Sequence, residues 1–340
     1  MKLFAASIFC GISVLLCGGH TTAATLDHEA VAAGKDCAKA LFRFWCPDDL
    51  ATVRGVAVLV PGQDSDGRTM VEDAVWQRFA CKHKLALVGC DFEDKPHGEN
   101  VFVEGYAQAS RGSGQALLDA LAAFAKASKH AEVASAPLVL WGHSAGGQFN
   151  YEFTCWKPER VIAFVANKGG VYFTHLAPEA ARRVPAIFFI GENDSEFRKM
   201  SIYGVYAMNR RLHAPWTLAV EPNAGHEVGR TREMAIAFFD AVLPLRLPAP
   251  ATMSLAELKE ESGWVGDLKS LQLRPGKMKD NQWSTWLPSE SVARAWVSFV
   301  QGQPIVESQR QDPQIQPQRS ERLLHKRRRC VVPSPLSPVR

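Results

Sequence analysis

Short, wholly apolar runs alternate with stretches of helical spacing along most of this 340-residue chain. The apolar runs fall at 41–46, 56–60, 85–90, 138–141, 161–165, 186–190 and 217–220. Each has the length of a strand, and apart from Arg43 and Thr217 they are too unbroken to leave one face in water. Between them, 70–84 sets Val71, Val75 and Phe79 on one helical stripe, and 112–129 does the same with Ala116, Leu117, Leu121 and Phe124. Further helices are predicted after Ser144 and over 230–243. Buried strands separated by helices predict an α/β architecture, a mostly parallel central sheet with helices on both faces. Sheets of that kind place their ligands at the carboxyl ends of the strands.

The pattern changes after residue 243. Pro244, Pro248 and Pro250 are expected to break the helix, and Trp264, Trp283, Trp286 and Trp296 then crowd a small region. A serine-led stretch at 289–300 has the spacing of a terminal amphipathic helix. We read 246–300 as a small Trp-rich appendage packed on the main domain at 25–245. From Glu307 onward the chain holds eight Lys/Arg and three Asp/Glu, a surplus of five, so the remainder of a chain with net charge +4 stands at −1. The segment 301–340 is rich in Pro, Gln and Arg and reads as a disordered, solvated basic tail. It is not assigned to nucleic acid.

At the other end, Met1-Lys2 is followed by an apolar run at 3–17 and a small-residue exit, the pattern of a secretory leader at 1–24 with cleavage after Ala24. That run is too short to span a bilayer. Export implies an oxidising compartment and permits disulfides among Cys37, Cys46, Cys81, Cys90, Cys155 and Cys330. Cys37 with Cys46 and Cys81 with Cys90 are the pairs close in sequence; the other reading is that several are buried small apolar residues.

The candidate chemistry begins where the run at 138–141 meets Gly142-His143-Ser144-Ala145-Gly146. A strand must turn into a helix within one or two residues there, holding the serine in a strained, exposed conformation. A serine hydroxyl is a poor nucleophile alone, so it needs a base and a carboxylate to orient that base. The run at 186–190 is followed by Gly191-Glu192-Asn193-Asp194, which offers Asp194, with Glu192 as the alternative acid. His226 lies in a turn after the last strand and before the closing helix. The oxyanion would be held by backbone amides of Ala145 and of Gln63, with Asp64 the alternative, in the loop after 56–60. Asp64, His143, Arg111 and Lys168 are placed with the substrate. Arg111, with Phe102 and Tyr106, belongs to a long loop at 92–114; a structural contact is the other reading for both Arg111 and Lys168. Trp141 reads as core. No cofactor or metal pattern is present.

At these residues the chain resembles the α/β-hydrolase family over about 42–245, nearest to exported esterases of the feruloyl-esterase and polyhydroxybutyrate-depolymerase type. The pieces that carry the resemblance are Pro61-Gly62, Gly142 to Gly147, Gly191 to Asp194, and Gly225-His226. The departure is Pro61, where many members carry His. The resemblance implies acyl transfer to water through an acyl-serine, from a small-molecule or polymeric ester. Two other functions fit the same residues: a serine peptidase of the same fold, and a non-catalytic carbohydrate- or polymer-binding protein on a hydrolase scaffold.

Overall fold

The computed structural model describes residues 25–30, 34–35, 37–96, 105–247, 254–276 and 283–305. The leader at 1–24, Phe102, Pro248, Pro250, Cys330 and the tail beyond 305 lie outside the described residues.

Eight strands form the central sheet: β1 (Leu26–Glu29), β2 (Cys37–Trp45), β3 (Gly55–Val60), β4 (Leu85–Asp94), β5 (Leu138–His143), β6 (Val161–Asn167), β7 (Ala186–Gly191) and β8 (Trp216–Glu221), in the order β1-β2-β4-β3-β5-β6-β7-β8. From β4 to β8 every neighbouring pair is parallel, whereas β1 and β2 join antiparallel at one edge. The predicted strand at 41–46 is thus part of a longer antiparallel strand. The helices are α1 (Ala74–His83), α2 (Ser113–Ser128), α3 (Ala145–Trp156), α4 (Glu179–Arg182), α5 (Glu196–Arg210), α6 (Thr231–Arg246) and α7 (Glu290–Val300).

The continuous apolar runs are explained by burial on both faces. Val56, Val58, Leu138, Leu140, Phe164 and Phe188 pack on one side with Leu117, Phe124 and Phe149. Ala57, Leu59, Val139, Trp141, Val165 and Phe189 pack on the other with Trp76, Phe238 and Trp296. Trp141 is core, as expected. The stripe at 70–84 is corrected in detail: Val71 lies in a 3-10 turn, and Asp73 accepts from the amides of Val75 and Trp76 to start α1 only at Ala74. That cap turns Trp76, Phe79 and Ala80 inward and leaves Val75 half-buried.

Two further expectations are overturned. Pro244 does not end its helix; α6 runs through it to Arg246. A proline in the last turn forgoes one hydrogen bond, and the Arg246 guanidinium holds the helix end by donating to the carbonyls of Val161 (3.2 Å), Ile162 (3.3 Å) and Ala256. The five described cysteines, Cys37, Cys46, Cys81, Cys90 and Cys155, are free. Cys37 and Cys46 bracket the extended β2, about 30 Å apart at ~3.3 Å per residue, while Cys81 is exposed on α1 and Cys90 buried in β4. Neither pair is bonded.

Beyond α6 a second sheet of β9 (Trp264–Asp267), β10 (Leu273–Pro275) and β11 (Ser284–Leu287) precedes α7, which Ser289 caps by accepting from Val292 N. This part shares the core of α6: Trp286, Trp296 and Phe299 join Met234, Phe238 and Phe239. The Trp296 indole donates to Leu218 O (2.8 Å) and the Trp286 indole to Glu260 O (3.1 Å). Among the described residues no helix is long and apolar enough to cross a membrane.

Replacing a fully buried Trp leaves a large cavity and an orphaned carbonyl. Trp296→Ala is expected to lower the unfolding free energy by about 3–5 kcal/mol. Trp283→Ala, at a ring that is 40% exposed, should cost under about 1 kcal/mol. Urea unfolding of the two variants checks the contrast.

Candidate active site

Ser144 joins β5 to α3 with φ 53° and ψ −122°, a conformation L-residues rarely adopt. Its neighbours explain how the chain tolerates this. A Cβ on Gly142 would collide with the carbonyl oxygen of Gly146, and one on Gly146 would collide with that of Val60. Only glycine allows the strand, the helix start and the end of β3 to close this tightly. Ser144 N donates to Asn167 O (2.8 Å) at the end of β6, and Gln148 N donates to Ser144 O (3.1 Å) to open the helix.

Asp194 and His226, the candidate acid and base, come from the two loops at the carboxyl ends of β7 and β8, which are bonded to each other. Glu192 N donates to Glu221 O (3.0 Å) and Asn193 N to Ala224 O (2.8 Å). Gly191 is packed so closely that a Cβ there would collide with Gly225 O. Held this way, His226 accepts from Ser144 Oγ at Nε2 (2.9 Å) and donates from Nδ1 to Asp194 Oδ2 (2.9 Å). The tautomer with the proton on Nδ1 is the one that satisfies both bonds. Asp194 Oδ1 accepts from Ser195 N (2.7 Å), and its carboxylate is buried, while the His226 ring stays partly open to solvent.

The fifth strand leads into a strained serine, the seventh into a loop bearing a carboxylate and the eighth into a turn bearing a histidine, on a sheet ordered β1-β2-β4-β3-β5-β6-β7-β8. The chain has the α/β-hydrolase fold. No family model matches it, and no curated protein matches it. Solved structures similar to it include a poly(aspartic acid) hydrolase-1 from Sphingomonas sp. KT-1, at 17% identity and TM-score 0.48, covering 63% of this chain and 97% of that one. They also include an S-formylglutathione hydrolase from Staphylococcus aureus, at 12% and 0.45, covering 65% and 98%. A poly(3-hydroxybutyrate) depolymerase from Bordetella parapertussis matches at 18% and 0.43, covering 66% and 89%.

The loop after β3 lies against the serine: a Cβ on Gly62 would come within 3.3 Å of both Ser144 Cβ and His143 Nδ1. Gln63 and Asp64 come next in that loop and are exposed, Asp64 at φ 56°. Ala145 N is at the first position of α3, where amides point out of the helix. Both sets of backbone donors therefore border Ser144.

Lys168 and His143, placed with the substrate from the sequence, bond within the protein instead, and so does Glu192, the alternative acid. Glu192 is exposed and its side chain accepts from Asn223 N (2.7 Å), so it braces the histidine loop instead of reaching the imidazole. Lys168 is fully buried and donates to Glu221 Oε2 (2.7 Å) and Glu227 O (2.7 Å). It clamps the chain on the far side of His226 and faces no substrate. His143 Nε2 donates to His226 O (2.7 Å), with the two rings 5.2 Å apart. It is therefore a brace for the base. Tyr106 is buried and stacked on Phe92. Arg111 ends a 3-10 turn just before α2, where its carbonyl accepts from Lys35 N (3.1 Å).

Glu221, Asn167 and Gln148, whose side-chain and backbone bonds fix these loops, received no role from the sequence. Glu221 and Asn167 each had a local signal, as a polar residue ending an apolar strand, but Lys168, the partner of Glu221, is two strands away.

Burial pushes the His143 imidazole down to about 4, so the ring is neutral in the folded state above that pH. The unfolded chain takes up this proton near its ordinary value of about 6.5. Between pH 6.5 and 4 the unfolded state therefore binds more protons, and stability falls as pH is lowered, by about 3 kcal/mol from this group. Denaturant unfolding at pH 7 and pH 4.5 should show a smaller loss for His143→Gln than for the wild type; equal losses would refute the assignment.

Proposed function

We propose that the chain is a serine hydrolase that cleaves a carboxylic ester through an acyl-serine intermediate. The observation that carries this reading is the unbroken line of hydrogen bonds from Ser144 Oγ through His226 to Asp194 at a strained strand-to-helix bend. His226 Nε2 would take the hydroxyl proton as Ser144 Oγ attacks the ester carbonyl carbon. Asp194, accepting from Nδ1, stabilises the imidazolium that forms. The negative charge moves to the carbonyl oxygen, for which the amides of Ala145 and Gln63 are the donors in this reading. Each such donor is worth roughly 3 kcal/mol in the transition state.

Collapse of the tetrahedral intermediate breaks the ester C–O bond, and the imidazolium returns its proton to the departing alcohol. A water, deprotonated by the same imidazole, then attacks the acyl-serine and releases the acid. The exposed edge of the His226 ring supports this reading, because the second half-reaction needs water at that nitrogen.

Ser144→Ala is expected to lower hydrolysis of 4-nitrophenyl acetate by at least about 1,000-fold and to abolish labelling by a fluorophosphonate probe. Undiminished hydrolysis by the pure variant would overturn the proposal. Export is part of the same reading and is supported by the leader pattern at 1–24. N-terminal sequencing of protein recovered outside the cytoplasm should begin at Thr25.

A further inference from the structure

Beside the proposed triad lies a group of polar side chains that the hydrolytic mechanism does not use. The chain after β6 runs Lys168-Gly169-Gly170-Val171-Tyr172. It starts next to the nucleophile, because Asn167 O accepts from Ser144 N. Gln148, one helical turn past Ser144, fixes its course by accepting from Gly170 N (2.9 Å) and Val171 N (3.2 Å) at one side-chain oxygen. Arg198 approaches the same strip from the other side. It sits in the first turn of α5, four residues past Asp194, and a Cβ on Gly170 would lie 3.2 Å from its Nε.

Two donors at this strip have no acceptor among the described residues. Arg198 Nε is buried without a hydrogen-bond partner, and so is the Tyr172 hydroxyl, which lies against Gly169. Among the described residues the acidic groups close to Arg198 are engaged elsewhere. Asp194 spends its two oxygens on His226 and Ser195, Glu196 pairs with Lys199, and Glu192 accepts from Asn223. Lys168 is neutralised by Glu221. Burial holds the Tyr172 phenol well above its usual range, so it remains a hydroxyl donor. A guanidinium packed on the strip that starts beside the proposed nucleophile, with its Nε unbonded, has the donor chemistry to take a carboxylate.

We propose that Arg198 determines substrate choice by binding a free carboxylate carried by the ester, with the Tyr172 hydroxyl beside it. The inference rests on the hydrolase reading above and names its substrate class: esters with a second, ionised carboxyl group. That carboxylate belongs either to the acyl chain, as in a dicarboxylic acid monoester, or to the alcohol.

Three 4-nitrophenyl-type esters of matched size separate these cases: a neutral butyrate, a hemisuccinate with the carboxylate on the acyl side, and an acetate of a carboxylated nitrophenol. The wild type should favour one of the charged esters, and 1 M NaCl should weaken that preference. In Arg198→Gln the ratio of kcat/KM for that ester over the butyrate should fall by about 10-fold or more, as expected for losing a charge-assisted bond. The loss should lie mainly in KM, and Arg198→Lys should recover part of it. Glutarate should inhibit butyrate cleavage by the wild type more strongly than butyrate ion does, a measurement that needs no variant. An unchanged ratio in a folded Arg198→Gln protein, or equal inhibition by the two acids, would overturn the inference. Failure of the hydrolase reading would look different, with no Ser144-dependent cleavage of any of the three esters.

Discussion

The bend at Ser144 is the constraint around which the rest of the molecule is arranged. A residue at φ 53° and ψ −122° stores on the order of 1–3 kcal/mol of strain and persists only where its surroundings over-determine it. Here they do so from three directions. Ser144 N is tied to the end of β6, Gly142 and Gly146 let the backbone of β3 close from below, and α3 is held in a socket. From Ala145 to Thr154 that helix is buried on every side. Its polar residues are tied to their surroundings: Asn150 Nδ2 donates to Val165 O, and Glu152 accepts from Thr174. A helix buried all round cannot shift to relax the bend, so the hydroxyl stays raised at the sheet's edge.

The same edge solves a second problem, holding a histidine still without covering it. The imidazole is partly exposed, and packing alone does not fix it. The order comes from the backbone on either side. His143 bonds the carbonyl of His226 itself, and Lys168 bonds that of Glu227. Glu221 accepts from Lys168 and from Arg230 N, closing the loop at its far end. A buried ion pair of this kind is poor evidence for added stability, because desolvation offsets most of the attraction. Its effect here is geometric: it sets the span of the turn that presents the imidazole.

The Trp-rich part beyond α6 bears on the site through β8. As the last strand of the sheet, β8 would expose unpaired backbone groups along its outer edge. Thr285 Oγ1 accepts from Leu218 N (2.8 Å), the Trp296 indole donates to Leu218 O, and Thr217 donates to Trp286 O. Side chains thus complete the edge where no further strand does. The strand they stabilise leads directly into the turn bearing His226, so the second sheet and α7 support the site from about the width of one strand away.

The elements and their order could be read from the amino-acid sequence, since a strand buried on both faces must be apolar throughout and a helix must repeat every 3.6 residues. So could the residues that meet at the bend. The pattern proposed for a nucleophilic serine lies in five consecutive positions and in the order in which the candidate acid and base occur farther along the chain. Local capping refined these readings: Asp73 moved the start of α1, and Arg246 carried α6 past a proline. The sequence could not display pairing between side chains on different strands. Lys168 and His143 both lie near motifs that looked like substrate contacts, and their bonds depended on which strand end stood opposite. Lys168 found Glu221 because β6 and β8 flank β7, and His143 found a carbonyl 83 residues away. Cys37 and Cys46, near in sequence, were carried apart by an extended strand. Spacing along a chain becomes distance only within one element; between elements, the order of strands in the sheet decides.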